Sequence, residues 1–235
     1  MSQQNNKDTP RVAIFIDGSN LYHALDQSCG RNDLDFSAFI QWLADGRDLY
    51  RTYYYNILQD EKRRPADFRE QKKFLEALSQ VPYLETRFGS IRYRDGQMVE
   101  KGVDIMLATD MLYYALYDYY DIAILVSGDG DFSYAVQTVK NAGKYVQVVT
   151  FESNQSPDLS KIADTQTLLS EETLSKENLW IKKDDKPRRR KRRTVAPNNA
   201  IKRTVAPNNA TRRTTAPNNA IKKTPLPKKR APVKK

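Results

Sequence analysis

Residues 125–132 of the chain read LVSGDGDF. An apolar, strand-like run stops there, and Asp129 and Asp131 follow with one glycine between them. Carboxylates held this close repel each other unless a cation or a proton lies between them. Two further acids stand in comparable places. Asp17 ends the apolar run RVAIFID, with Asn20 three residues on, and Asp104 lies in EKGVD, where a helical stretch would open. If the fold gathers Asp17, Asp104, Asp129 and Asp131 at one rim, four carboxylates share a cleft. A hard divalent cation with oxygen ligands, Mg²⁺ or Mn²⁺, relieves that crowding. Mg²⁺ takes only one or two carboxylates directly and keeps several waters, so the remaining acids can hold those waters. Such a site suits hydrolysis of a phosphodiester, because the metal lowers the pKa of a bound water and stabilises charge on the leaving oxygen.

Taken singly, each acid has a plain structural reading. Asp17 before Gly18 can start a turn, and Asp17 or Ser19 can cap the next helix. Asp104 suits an N-cap or a first helical turn, and Asp129-Gly130-Asp131 suits a turn followed by a cap. Their joint occurrence, each at the end of an apolar run or the start of a helix, is what points to a site. Asp110 lies six residues past Asp104, more than half a helical rotation away, so it need not share the cleft, and a structural role is open to it. Lys101 either reaches a phosphate or is simply solvated, and Asn20 and Ser127 are polar neighbours of the acids. His23, the single histidine, reads as a surface or packing residue. Tyr53, Tyr54, Tyr55 and the Tyr113–Tyr120 cluster read as core and rim, with one or two placed to stack on bases.

The elements that must position these residues follow from the apolar patterning. Strands are expected at 11–17, 49–58, 121–127 and 144–151, and a strand-like pair at 84–94 with a tight turn at DGQ (95–97). Helices are expected in GSNLYHALDQ and over 36–44, 66–80, 103–117 and 132–143. LSKIAD and TQTLLSEETL read as short terminal helices. Strands apolar throughout and alternating with helices indicate a mostly parallel sheet covered on both faces. Ligands of such folds sit at the carboxyl ends of the strands, where RVAIFID and DIAILVSGDGD deliver their acids.

Charge divides the chain in two. Of its 235 residues, 39 are Lys or Arg and 29 are Asp or Glu. Residues 186–235 hold 18 of the basic residues and no acid, which leaves 21 basic and 29 acidic residues, a net −8, in residues 1–185. An acidic body with a cationic tail suggests that the tail meets a polyanion. The tail repeats KRRTVAPNNA, IKRTVAPNNA and TRRTTAPNNA at a period of ten, then a degenerate IKKTPLPKKR. These units carry too little apolar surface to offset their ordering entropy, and disorder is expected. The expected divisions are a disordered leader (1–10), an α/β domain (11–170), a linker (171–185) and the basic tail (186–235).

Composition also excludes some classes. The one cysteine, Cys29, forms no internal disulfide or cysteine metal cluster, and no apolar run approaches the roughly 20 residues of a membrane helix. A soluble, cytoplasmic protein is expected. After the first strand there is no glycine-rich dinucleotide loop. Position 19 is Ser, whereas a haloacid-type phosphatase wants a second Asp there, and a von Willebrand A-type metal site wants a second serine that is missing.

FIDGSNLYHAL, EKGVDIMLATDMLYYAL and DIAILVSGDGDFSYAVQTVKNAGKYVQVVTF, in this order, resemble the NYN domain, more narrowly its LabA-like branch. The resemblance covers roughly residues 10–165. It implies a PIN-like, Rossmann-type three-layer α/β/α sandwich and a ribonuclease that uses Mg²⁺ or Mn²⁺ in an acidic cleft. By motif, it implies Asp17, Asp104 and Asp129 as metal ligands, Asp131 beside them, and Asn20 and Ser127 in support. The leading expectation is an endoribonuclease whose tail adds affinity through phosphate contacts. The alternative is a non-catalytic RNA-binding or regulatory adaptor, whose tail recruits RNA or an acidic protein. A homodimer is compatible with either.

Overall fold

A computed structural model of the chain describes residues 9–94 and 97–182. The leader up to residue 8, the turn expected at Asp95-Gly96 and the basic tail lie outside the described residues. In chain order, β1 (Arg11–Asp17) is followed by α1 (Gly18–Cys29), α2 (Phe36–Ala44), β2 (Asp48–Ile57), α3 (Pro65–Leu78), β3 (Leu84–Arg94) and β4 (Gln97–Lys101). Then come α4 (Val103–Leu116), β5 (Ile122–Val126), α5 (Ser133–Asn141), β6 (Tyr145–Phe151), α6 (Pro157–Ile162), β7 (Thr165–Leu169) and α7 (Glu171–Lys176).

The strands form one sheet in the order β4-β3-β2-β1-β5-β6-β7. Every pairing is parallel except the antiparallel edge of β3 with β4. This is a mostly parallel α/β sheet with helices on both faces. β1 shows why. Successive strand residues point to opposite faces. Val12, Ile14 and Ile16 enter one apolar cluster with residues of α1, α2 and α3, while Ala13 and Phe15 enter the other with α4, α5 and α6. All five are fully buried. A strand wanted on both faces can carry no alternating polar residue, hence its unbroken apolar run.

Two expectations need correction. LETRFGSIRYR is a single strand, β3, and its antiparallel partner is QMVEK, β4. TQTLL is not helical but forms β7, and only the following acidic segment makes α7. The open edge of β6 decides this, since Thr165 to Leu169 pair with Gln147 to Phe151 in parallel register. Beyond β7 the chain stays on the domain. Leu174, Leu179 and Trp180 pack into the first cluster, and Trp180 bridges to Leu34.

Candidate active site

The chain winds outward from β1 in both directions: β2 and β3 lie on one side, β5, β6 and β7 on the other. Connections therefore diverge between β1 and β5 and open a crevice at the carboxyl ends of those two strands. Asp17 is the last residue of β1, and Ser127, Gly128 and Asp129 follow β5 directly. The sheet order itself brings together residues 110 positions apart.

Asp17 caps α1. Its Oδ1 accepts the Asn20 backbone N–H at 3.1 Å and its Oδ2 accepts the Ser127 hydroxyl at 3.2 Å. It is one of few buried polar side chains among the described residues, 5% exposed. Burial pushes its carboxyl up to about 6 against the pull of both hydrogen bonds, and the charges of Asp104 and Asp129 add to the rise. The Ser127 hydroxyl in turn accepts the Asp129 N–H at 3.1 Å, and Asp129 Oδ1 accepts the Asp131 N–H at 3.0 Å. Asp129 thereby caps a short 3₁₀ turn, Gly130–Phe132, that runs into α5. Asp131 is exposed.

Asp104 arrives from the other side, in the first turn of α4. Gly102 makes this possible: its φ of 90° lies in the left-handed region and swings the chain from β4 into the helix. Partial burial, then the charges of Asp129 and Asp131, push the Asp104 carboxyl up. The acids thus lie within electrostatic reach of one another across the rim. Lys101 ends β4 and is exposed.

Most of the remaining candidates lie elsewhere. Asp110, also on α4, accepts the Tyr55 hydroxyl at 2.8 Å and sits 3.7 Å from Arg87 Nε, a structural role. His23 is exposed on α1 with its ring edge-on to Tyr22. Tyr53, Tyr54 and Tyr55 are buried. Exposed Tyr113 and Tyr117 lie at the far end of α4 from Asp104, about 14 Å or more along the helix axis.

Two further residues adjoin the site: Tyr54, one of the tyrosines expected in core or rim, and Asn154, which carries no sequence signal. The Tyr54 ring lies against Gly18, so that a Cβ there would fall 2.3 Å from the ring. Asn154, in the turn after β6, donates to Asn20 Oδ1 at 2.7 Å.

The donors of the rim are carboxylate, hydroxyl and amide oxygens, the set that hard divalent cations prefer. Among the described residues, no three His, Cys, Asp or Glu side chains are grouped as joint direct ligands of one ion. Such donors suit a hard divalent cation held partly through its own waters. No described helix is long and apolar enough to cross a membrane.

A family model described as the NYN domain matches residues 11–171, which contain all four acids. The Low amplitude and bright protein LabA of Synechococcus elongatus is 26% identical over 161 residues, covering 66% of this chain and 81% of that protein. A crystal structure of a protein of unknown function from Vibrio parahaemolyticus superposes with a TM-score of 0.58 at 24% identity. That match covers 73% of this chain and 98% of the other, and it shows the shared fold. NYN and related PIN-like nucleases generally use divalent metals. The family match spans most of the chain and the whole acidic rim, and the chain therefore belongs to the NYN domain family, a PIN-like nuclease family with nucleic-acid-related function.

Proposed function

We propose that the chain is a Mg²⁺- or Mn²⁺-dependent endoribonuclease, with Asp17, Asp104 and Asp129 holding the ion and Asp131 beside them. The observation that carries this reading is Asp17: a buried carboxyl at the end of the central strand, raised to about 6, with two other acids bearing on it. A fold retains such an unfavourable group where it serves a function more readily than where it serves packing. When bound, the cation supplies Lewis acidity and charge neutralisation to phosphodiester hydrolysis. Ser127 and Asn20 hold Asp17 in one orientation, since each donates to one of its oxygens. Lys101 is free to approach a phosphate from the end of β4. The basic tail raises affinity for RNA through its phosphates without reading sequence.

A second reading is a non-catalytic RNA-binding or regulatory adaptor. It is favoured by the absence, among the described residues, of three side chains grouped as direct ligands. One assay separates the two. Labelled RNA is incubated with the full chain and with Asp17→Asn and Asp129→Asn, in Mg²⁺, in Mn²⁺ and in EDTA. Metal-dependent cutting that disappears in both variants is expected of the enzyme. RNA retained but never cut by the wild type overturns the enzymatic reading in favour of the adaptor.

A further inference from the structure

The short turn after β6 is wired into the acidic rim by one side chain, Asn154. Its Oδ1 accepts the Phe151 N–H at 3.1 Å and the Thr150 hydroxyl at 2.8 Å, and its Nδ2 donates to Asn20 Oδ1 at 2.7 Å. Asn20 Oδ1 also accepts the Gly128 N–H at 2.9 Å. These contacts fix both amides without ambiguity. A peptide N–H can only donate, so the atom of Asn154 that faces Phe151 is oxygen and its other arm is NH₂. The Gly128 N–H fixes the facing atom of Asn20 as oxygen in the same way. The Asn20 NH₂ takes no part in these contacts.

We propose that Asn154 is a positioning residue of the acidic rim. By donating to Asn20, it sets which way the Asn20 amide faces and so seats Gly128, the residue that joins Ser127 to Asp129. The backbone agrees: a Cβ added at Gly128 would lie 2.0 Å from the Asn154 carbonyl oxygen, so the two turns are in direct contact. Its consequence for an ion rests on the metal-site reading proposed above, whereas the hydrogen-bond relay does not.

Asn154→Asp separates positioning from mere support of the turn. The aspartate keeps an oxygen for Phe151 and Thr150 but cannot donate to Asn20. The Asn20 amide then turns its NH₂ to the new carboxylate and withdraws its oxygen from Gly128. The full-length, ¹⁵N-labelled chain is compared with Asn154→Asp, Asn20→Ala and the double variant. Gly128 amide exchange is expected to be about tenfold faster in each single variant, and no faster in the double. Melting temperature should be little changed in Asn154→Asp. Mn²⁺ affinity, followed by water-proton relaxation, should fall at least about tenfold in Asn154→Asp. An added negative charge alone would tighten Mn²⁺ binding, so weakening reports geometry. Unchanged protection of Gly128 in Asn154→Asp, or fully additive effects, overturns the proposal. If the wild type takes up no Mn²⁺, the metal-site reading fails by itself, and Gly128 exchange still decides the role of Asn154.

Discussion

Asp17 carries an energetic burden that its neighbours cannot lift. Burial removes water from its carboxylate, and the N–H of Asn20 and the hydroxyl of Ser127 replace only part of it. Its pKa in the folded chain, about 6, stands above its ordinary value of 3.8. The folded state therefore holds the proton more tightly than the unfolded state between those values. Stability from this group is greatest below about pH 4, declines as pH rises towards 6, and stays reduced above. Asp17→Asn removes the charge and keeps an oxygen for Asn20. In metal-free buffer it is expected to raise the unfolding free energy at pH 7.5 by about 1 to 3 kcal/mol and to change it little at pH 4. Urea titrations at the two pH values test this, and an equal gain at both would remove burial as the cause. The same variant is expected to lose RNA cleavage, so stability and activity should move in opposite directions at this one residue.

The elements explain what the sequence discloses and what it hides. β1 and β5 are legible because a central parallel strand leaves an unbroken apolar run, and both runs end where the candidate acids stand. The acids Asp17, Asp104 and Asp129 are visible as types and positions; the sheet order sets Asp17 beside the segment that follows β5, and α4 brings Asp104 within electrostatic reach. Two things are not legible. β7 carries two threonines in TQTLL, a strand preference that the acidic SEETL behind it masks, and the open edge of β6 settles the matter. Asn154 lies in a polar turn, ESN, and nothing local distinguishes it. Its role exists only because β6 ends next to β5 and brings residue 154 to residue 20. Glycine is demanded at 128 by this same approach of two turns. Gly128→Ala would place its Cβ against a backbone oxygen that no side-chain rotation can relieve. It is expected to destabilise the chain by about 1 to 3 kcal/mol, measured by urea unfolding. A different element gives a matched control away from the rim. Tyr55→Phe leaves Asp110 without its hydroxyl partner and is expected to cost about 1 to 3 kcal/mol while RNA cleavage by the folded protein is unaltered.

The charge of the whole molecule poses a problem that no single element solves. Residues 1–185 carry a net −8 and would repel an RNA backbone, yet residues 186–235 bring +18 on the same chain. The tail's composition meets that repulsion with cations spaced along fifty residues, and at a ten-residue period each repeat offers two or three of them. Such groups would bind phosphate by releasing counterions, so affinity should fall steeply with salt and be nearly indifferent to sequence. A chain truncated after residue 185 should bind single-stranded RNA more weakly. The slope of log K against log salt should be flatter by about 0.7 for every phosphate that the tail no longer neutralises. Fluorescence anisotropy between roughly 50 and 200 mM salt covers a useful part of that dependence. Cleavage at saturating RNA should change far less than binding, because the acids that the reaction would need all lie before residue 132. If truncation leaves the slope as it was, the tail does not meet the RNA, and an acidic protein becomes the partner that its charge best fits.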